Sequence, residues 1–358
     1  MVSGVEPAPA PAERAAAAVP DRPLASLFVT GFNQADTIRE ALEAALAQTW
    51  RPLDLLFSDD ASEDATFEIM REVAERHQGR EAEGLSVRVR RSAVNGGLVD
   101  NVNRAVAACR GELIAMSGGD DVSEPHRVET LMRAWLDSGR RAHLLHSDAA
   151  VIDARGAVVG ARPANAAVLA ARRPRDFMAL DRCVLGAVMA WSREMFEIFG
   201  PMPPEATNED QVITLRGAFL GPVIHVPEAL VRWRTGGASW AGPDMLRHPF
   251  GPRLKFAHWR AGGARAALVD LARAPIDAEE AAAVRAEAER VAAHVGLEAE
   301  LGRRPWPGRL ALAPRALALA LRARSRRPAV LLLKHLLRGP YARWWEARHG
   351  APRAGDPA

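Results

Sequence analysis

The chain has 358 residues, 48% apolar and 25% charged, a globular composition that excludes disorder over most of the length. Residues 303–358 carry 13 basic and two acidic side chains, whereas the preceding residues are net acidic, which does not suit a dedicated nucleic-acid binder. Two cysteines cannot build a disulfide scaffold, and no uncharged apolar stretch reaches the roughly 18 residues that a membrane span needs.

The first 160 residues contain a short tail and then a regular alternation of elements. Residues 1–23 are rich in alanine and proline and lack the apolar core of a secretory signal, so we predict a disordered tail. From residue 24 onward, short apolar strands such as residues 27–30 alternate with amphipathic helices such as residues 38–46. This rhythm predicts an α/β fold with a mostly parallel sheet, whose ligands bind beyond the carboxyl ends of the strands.

Two pairs of aspartates lie at such strand ends. Asp59 and Asp60 follow the second predicted strand. One interpretation is that they accept hydrogen bonds from a nucleobase or a ribose, and the other is that they form a turn that caps the next helix. Asp120 and Asp121 follow a later strand and Gly118-Gly119. Adjacent carboxylates repel each other, and Mg²⁺ or Mn²⁺ can offset that repulsion, although a solvated turn with a helix cap is the other interpretation.

Residues 141–240 are less regular, with short predicted strands at residues 144–145, 151–152, 184–190 and 223–226. Asp210 begins a helix-like stretch over residues 212–219 and could be an ordinary cap. His225 could complete a metal site, although a packed histidine is the simpler interpretation. Because neither a GxxxxGK[ST] loop nor a GxGxxG turn follows the first strand, P-loop NTPases and dinucleotide oxidoreductases are disfavoured.

The C-terminal region, residues 251–358, is predicted to be helical and basic. Asp277 and Glu280 resemble a capping box that begins a helix reaching about residue 300. Residues 309–350 then mix leucines with arginines, as in basic helices that lie on anionic membranes. The alternative is a helical hairpin that packs on the acidic body. The expected location is cytoplasmic, with peripheral contact to the inner face of the cell membrane through residues 303–358.

The motifs of residues 24–240 together resemble those of family 2 glycosyltransferases, which are inverting enzymes. The resemblance is carried in order by TGFN at 30–33, QTW at 48–50, DDASEDAT at 59–66, NGGL at 95–98, GDD at 119–121, ED at 209–210 and RWR at 232–234. It implies the GT-A fold, a Rossmann-like mixed sheet flanked by helices, over residues 24–250. Residues 24–125 would be the nucleotide-binding half and residues 126–250 the acceptor half, followed by the helical extension.

The resemblance also implies roles for single residues. Asp120 would bind Mn²⁺ or Mg²⁺ with Asp121 beside it, and Asp210 would be the general base. Gly118 replaces the first aspartate of the family's DxD motif, and Val102 replaces an arginine that many relatives have. The implied donor-binding residues are Thr30, Phe32, Asn33, Asp59, Asp60, Asn95 and Asp120, and the implied acceptor-side residues are Glu209, Arg232 and Arg234.

The activity that the resemblance implies is a metal-dependent, inverting, hexosyltransferase-type reaction (EC 2.4) in bacterial polysaccharide synthesis. The donor would be a nucleotide sugar, with UDP as the expected carrier, and the acceptor a hydroxyl of a glycan or lipid-linked glycan. One alternative is a non-catalytic protein that binds a sugar nucleotide, which the glycine at Gly118 would allow. Another is a sugar-nucleotide nucleotidyltransferase, although residues 31–34 lack the basic residue that its loop needs.

Overall fold

The computed structural model describes residues 22–180, 183–235, 251–303 and 306–322. Within these ranges nine strands form a single mixed sheet with helices on both faces. The strands are β1 (Ala25–Gly31), β2 (Leu53–Asp59), β3 (Leu85–Arg91), β4 (Leu113–Gly118), β5 (Val122–Ser123), β6 (Leu144–Ile152), β7 (Val158–Arg162), β8 (Met189–Ser192) and β9 (Val223–Arg234).

The helices follow the same chain order. They are α1 (Ile38–Leu46), α2 (Thr66–Arg76), α3 (Gly97–Ala108), α4 (Arg127–Asp137), α5 (Ala166–Ala170), α6 (Pro174–Ala179), α7 (Arg193–Phe199), α8 (Glu209–Leu220), α9 (Gly251–Asp270), α10 (Ala278–Arg303), α11 (Trp306–Leu310) and α12 (Ala313–Arg322). Short 3₁₀ turns occupy Glu81–Glu83 and Gly186–Val188.

The first half of the sheet is parallel, as predicted. β1 lies between β2 and β4 and runs parallel to both, and β2 pairs in parallel with β3. In this register Gly31 lies opposite Asp59 and Thr30 lies opposite Gly118. The carboxyl ends of three strands therefore meet at one edge, which brings the polar clusters of the sequence together.

Both faces of this parallel half are buried. All seven residues of β1 are inaccessible, because successive side chains point to opposite faces and helices cover each face. Leu27 belongs to a core shared with α1, α2 and α4, whereas Phe28 belongs to a core shared with α3, α8, α9 and α10. The helical extension therefore packs into the main core through α9 and α10.

The second half of the sheet differs from the predicted strands in two places. Residues 144–145 and 151–152, predicted as separate strands, form the single strand β6, because β6 pairs along its whole length with β9. Residues 184–190 were predicted as one strand, but residues 186–188 form a 3₁₀ turn and only β8 is extended. His225 on β9 is bonded through Nε2 to Asp148 Oδ1 at 2.8 Å, in agreement with a packed histidine.

The C-terminal helices are described as far as residue 322. The Glu280 amide donates to Asp277 Oδ1 at 2.8 Å, so the predicted cap of α10 is present. In α12, Ala316 packs on Leu301 of α10, while Leu317 and Leu321 are exposed. No helix in the described part of the chain is long and apolar enough to cross a bilayer. Residues 1–21 of the predicted N-terminal tail and residues 323–358 of the basic segment lie outside the described residues.

Candidate functional site

The loop after β1 brings three of the predicted donor residues to the sheet edge. Thr30 is buried and its hydroxyl donates to the Ser117 carbonyl of β4 at 3.4 Å. Phe32 is 38% exposed, so its ring is available to a ligand. Asn33 has a left-handed backbone with φ of 50° and its Oδ1 accepts from the Glu63 amide at 2.8 Å. Phe32 and Asn33 are exposed, whereas Thr30 is buried.

Asp59 and Asp60 at the end of β2 organise two different loops. Asp59 is fully buried, and its carboxylate accepts from the amide and the hydroxyl of Ser62 at 3.0 and 2.5 Å. Asp60 accepts from the amides of Gly96 at 3.1 Å and Gly97 at 2.8 Å, at the start of α3. A carboxylate has about four lone-pair positions, so Asp60 can accept another hydrogen bond while it holds this loop.

An open cleft of about 1030 Å³ lies between these two loops. Phe32 and Asn95, which are far apart in sequence, line it together with Arg91. Arg91 stacks over Phe67 and approaches Asp59 with its Nε at 3.4 Å. The cleft thus combines an aromatic ring, a guanidinium and hydrogen-bonding groups, which are the groups needed to bind a nucleotide.

The turn after β4 holds two buried carboxylates. A methyl group built on Gly118 would lie 2.9 Å from both Asp120 Oδ1 and Asp121 Oδ2, so both carboxylates converge on this glycine. Asp121 Oδ1 accepts from the Arg234 amide at 3.0 Å. Burial, followed by the neighbouring charge of Asp120, raises the pKa of Asp121 to about 7. The space that a longer residue at position 118 would need is filled by these carboxylates.

These two carboxylates fit a divalent metal of the predicted kind. Mg²⁺ and Mn²⁺ are usually held in nucleotide enzymes by one or two carboxylates together with substrate phosphates, not by a cage of protein ligands. The described residues contain no cluster of three or more metal-binding side chains. A cation would also offset the repulsion that raises the pKa of Asp121.

A second acidic pair, Glu209 and Asp210, begins α8. A methyl group on Gly186 would lie 2.3 Å from Asp210 Oδ1 and 2.7 Å from Glu209 Oε1, so both side chains reach the 3₁₀ turn before β8. Burial, followed by the charge of Glu209, raises the pKa of Asp210 well above its usual value. Burial likewise raises the pKa of Glu209. Such a carboxyl suits proton transfer near neutral pH.

Met116 and Arg127 connect the segments that carry the two acidic pairs. Met116 of β4, two residues before Gly118, has its Cε 3.3 Å from a methyl position on Gly186. Arg127, fully buried at the start of α4, donates from Nη2 to the carbonyls of Met116 and Ala187, both at 2.8 Å. Its position connects the turn of the first pair to the turn of the second. No local pattern in the sequence indicates this role for Arg127, because an arginine at a helix start normally faces solvent.

The arginines predicted on the acceptor side have other partners. The Arg234 side chain is buried and donates to the Asp120 carbonyl at 2.8 Å and to Glu40 Oε2 at 2.5 Å. Arg232 forms an ion pair with Glu124 at 3.0 Å. The structure therefore groups Arg234 with the Asp120 turn. Val102 is fully buried in α3 and faces the core.

Comparison with known proteins gives a family match for part of the chain. Residues 26–156 match the model described as Glycosyl transferase family 2. The Bacillus subtilis protein EpsE is 29% identical over 140 residues, which is 39% of this chain and 48% of EpsE. Chondroitin synthase of Pasteurella multocida is 31% identical over 115 residues, 32% of this chain and 11% of that protein. The chain thus spans about half or less of the length of these relatives.

Among solved structures, S. aureus TarS 1–349 in complex with UDP-GlcNAc is similar, with a TM-score of 0.55. The match covers 89% of this chain and 92% of TarS 1–349 at 15% identity. At this identity the likeness concerns the fold, and the predicted GT-A fold with a helical C-terminal extension is confirmed.

Proposed function

We propose that the chain, whose residues 26–156 match the model of glycosyl transferase family 2, transfers a sugar from a nucleotide-sugar donor to a hydroxyl of a glycan or lipid-linked acceptor. The observation that carries the proposal is the presence of two buried acidic pairs, one converging on Gly118 and one on Gly186, in segments that Arg127 joins through the carbonyls of Met116 and Ala187.

In the proposed donor site the nucleoside occupies the cleft between the loops after β2 and β3, which Phe32 also lines. Phe32 offers a ring for stacking, and Asp60, which the amides of Gly96 and Gly97 hold in place, offers an acceptor to a base N–H. UDP is the proposed carrier, because TarS is seen with UDP-GlcNAc and with UDP. The diphosphate would then extend toward Asp120 and Asp121.

Asp120 and Asp121 are the proposed holders of Mn²⁺ or Mg²⁺. When bound, such an ion stabilises the negative charge that develops on the leaving nucleoside diphosphate. The protein's own part is to keep the two carboxylates converged on Gly118, which the Arg234 amide and the burial of the turn support.

Asp210 is the proposed general base. The acceptor hydroxyl oxygen forms a bond to the anomeric carbon while the bond from that carbon to the phosphate oxygen breaks. The electron pair leaves with the nucleoside diphosphate, and the hydroxyl proton passes to the Asp210 carboxylate. A single displacement of this kind inverts the anomeric carbon, and a positioned base typically contributes about 10²–10⁴-fold in rate.

A cytoplasmic location with membrane-surface contact through the basic C-terminal segment is a separate part of the proposal. Leu310, Leu317 and Leu321 are exposed on the described helices α11 and α12. Exposed leucines near arginines suit an anionic bilayer surface. Flotation with anionic vesicles tests it: the full chain is expected to float, and a chain lacking residues 303–358 is expected to stay in solution. Failure of the full chain to float refutes this part.

The first experiment is a thermal-shift panel of UDP, GDP, dTDP and CMP, each with and without Mn²⁺. A ligand at 100 times its dissociation constant stabilises the folded state by about 2.7 kcal/mol, which is readily measured. We expect a metal-dependent shift with one nucleotide, followed by release of nucleoside diphosphate from its sugar donor. Binding without turnover under any acceptor would favour the non-catalytic alternative, and absence of binding would refute the donor site.

A further inference from the structure

A second cavity, of about 430 Å³, lies on the β6 side of the sheet and is called here the β6–β7 cavity. Its volume is within the range of about 300–1,000 Å³ that small-molecule sites occupy. The residues that line it include His146, Ser147, Arg162, Ala164, Asn165 and Cys183. The donor residues proposed above do not line it, so it is distinct from the nucleotide cleft.

The β6–β7 cavity borders the Glu209–Asp210 pair. Cys183 is part of its wall, and burial, followed by the charges of Asp210 and Glu209, raises the pKa of this thiol well above its usual value. Leu185, also in the wall, directly precedes Gly186, on which both carboxylates converge. A molecule in the cavity would therefore be next to the candidate base.

The polar group most firmly fixed in the wall is His146. It is 3% exposed, and its ring stacks on His225 with 4.9 Å between ring centroids. His225 is in turn held by Asp148, through Nε2 to Oδ1 at 2.8 Å. Burial, followed by the charge of His225, lowers the pKa of His146 to about 4, so its ring is neutral near pH 7. A neutral imidazole has one donor and one acceptor nitrogen and suits a hydroxyl group.

The rest of the wall is also suited to an uncharged, hydroxyl-rich ligand. Ser147 and Asn165 add polar groups, and the aliphatic residues Val168, Val184 and Val188 form the apolar part. Arg162 is the one ionised side chain among the described lining residues, and its guanidinium lies 4.5 Å from the Trp233 ring centre. Its charge also acts on Asp210, whose carboxyl it favours in the ionised form.

We propose that the β6–β7 cavity binds an uncharged sugar ring of the acceptor, and that His146 determines specificity by hydrogen bonding to a ring hydroxyl. This inference rests on the proposed transferase function, because it places the nucleophilic substrate beside Asp210. The acceptor-side residues expected from the sequence were Glu209, Arg232 and Arg234, whereas the residues of this cavity are different ones. The acceptor that they would bind is a neutral glycan.

Three variants test the cavity. His146→Phe keeps a ring against His225 but removes both nitrogens. Ala164→Trp fills the cavity, and Ala161→Trp is its matched control, because Ala161 lies nearby on β7, is exposed and does not line the cavity. The probes are methyl glucoside, methyl galactoside and methyl N-acetylglucosaminide, with methyl glucuronide as the acidic comparison. Binding is followed by NMR of the full chain labelled at histidine, in which the His146 signal is the one lost in His146→Phe.

We expect at least one neutral methyl glycoside to shift the His146 signal, and its affinity to fall about tenfold in His146→Phe, as measured from the shifts of the remaining histidines. Ala164→Trp should abolish these shifts and Ala161→Trp should retain them. Unchanged affinity in His146→Phe, or no response to any neutral probe, overturns the inference. A response to the glucuronide alone, lost in Arg162→Gln, overturns the neutral class.

The nucleotide panel is run on the same samples, so that a failure of the cavity assignment can be distinguished from a failure of the proposed transferase function. Nucleotide binding with no glycoside response refutes the cavity assignment and leaves the proposed transferase standing. Loss of nucleotide binding refutes the transferase itself. A shift of His146 caused by the nucleotide sugar, but not by the same nucleoside diphosphate, shows that the cavity takes the donor sugar and overturns the acceptor assignment.

Discussion

Arg216 and Asp270 form a buried, two-pronged ion pair that joins α8 to α9. Arg216 Nε lies 2.8 Å from Asp270 Oδ2, and Nη2 lies 2.9 Å from Oδ1. Arg216 also donates to the Gly200 carbonyl at 2.8 Å. Since α8 begins with the acidic pair, the same contacts that hold this helix in the core fix the position of the candidate base.

Replacing Arg216 by methionine is expected to lower the free energy of unfolding by about 3 kcal/mol, because Asp270 would lose its buried partner. The matched control is Arg71→Met, which removes a pair with Glu75 that is exposed on α2 and should cost less than about 1 kcal/mol. Urea unfolding of both variants provides the measurement. Equal losses in the two variants would mean that the Arg216–Asp270 pair does not stabilise the fold.

Asp210→Asn is expected to lower the rate of sugar transfer by about 10²–10⁴-fold, because the amide cannot accept the hydroxyl proton. Nucleotide affinity, measured by calorimetry, should stay unchanged. Asp137→Asn, at an exposed position at the end of α4, serves as the control and should keep both properties. A parallel loss of nucleotide binding in Asp210→Asn would indicate a structural role.

The same variant should also change how stability depends on pH. Burial, Glu209 and their shared hydrogen bond raise the pKa of Asp210, and the nearby Arg162 opposes this only in part, while Cys183 stays protonated. At this carboxyl the folded state therefore binds more protons than the unfolded chain, whose aspartates titrate near 3.9, so the contribution of Asp210 to stability falls as the pH rises above about 4.

The asparagine in Asp210→Asn cannot ionise, so this variant does not undergo that loss of stability. Its free energy of unfolding, relative to the wild type, should therefore increase between pH 4 and pH 7. Urea denaturation at several pH values measures the difference. A difference that stays constant over this range would contradict the raised pKa.

Gly186→Ala should reduce transfer by at least about tenfold without weakening nucleotide binding. The added methyl group would overlap Asp210 Oδ1 and Glu209 Oε1, and a displaced catalytic group of this kind can cost about 10²-fold. Gly160→Ala on β7 is the control, because the nearest atom to its methyl group is at 3.9 Å. Steady-state kinetics measures the transfer rate of both variants. Normal turnover in Gly186→Ala would argue against Asp210 as the general base.

Asp120→Ala should remove the contribution of Mn²⁺ to nucleotide affinity. Calorimetric titrations with the nucleotide, in the presence and absence of Mn²⁺, measure this contribution in each protein. Without the ion, the affinity of the variant for the nucleotide should equal that of the wild type. If Mn²⁺ strengthened nucleotide binding equally in both proteins, the metal assignment to Asp120 would be incorrect.

The parallel half of the fold was predictable because its signals are local. The strands β1, β2 and β4 contain short apolar runs, and the spacing of the apolar residues in α1 indicates its buried face. The convergence on Gly186 was not predictable, because it depends on contacts between α8 and a turn more than 20 residues earlier in the chain. The order of the motifs along the chain indicated the acidic residues as site residues. The partners of Arg232 and Arg234 were not predictable, because they depend on the pairing of β9 with β5 and on the Asp120 turn.

The hydrogen bond from the Arg234 amide to Asp121 limits how far a functional fragment can be shortened from its C-terminal end. The family match stops at residue 156, yet the turn with the first acidic pair is completed by the last residue of β9, and the second pair enters with α8. A fragment cut at the family boundary would keep the cleft but lose a partner of Asp121 and all of Glu209 and Asp210. The smallest unit able to carry out the proposed reaction therefore extends at least through Arg234.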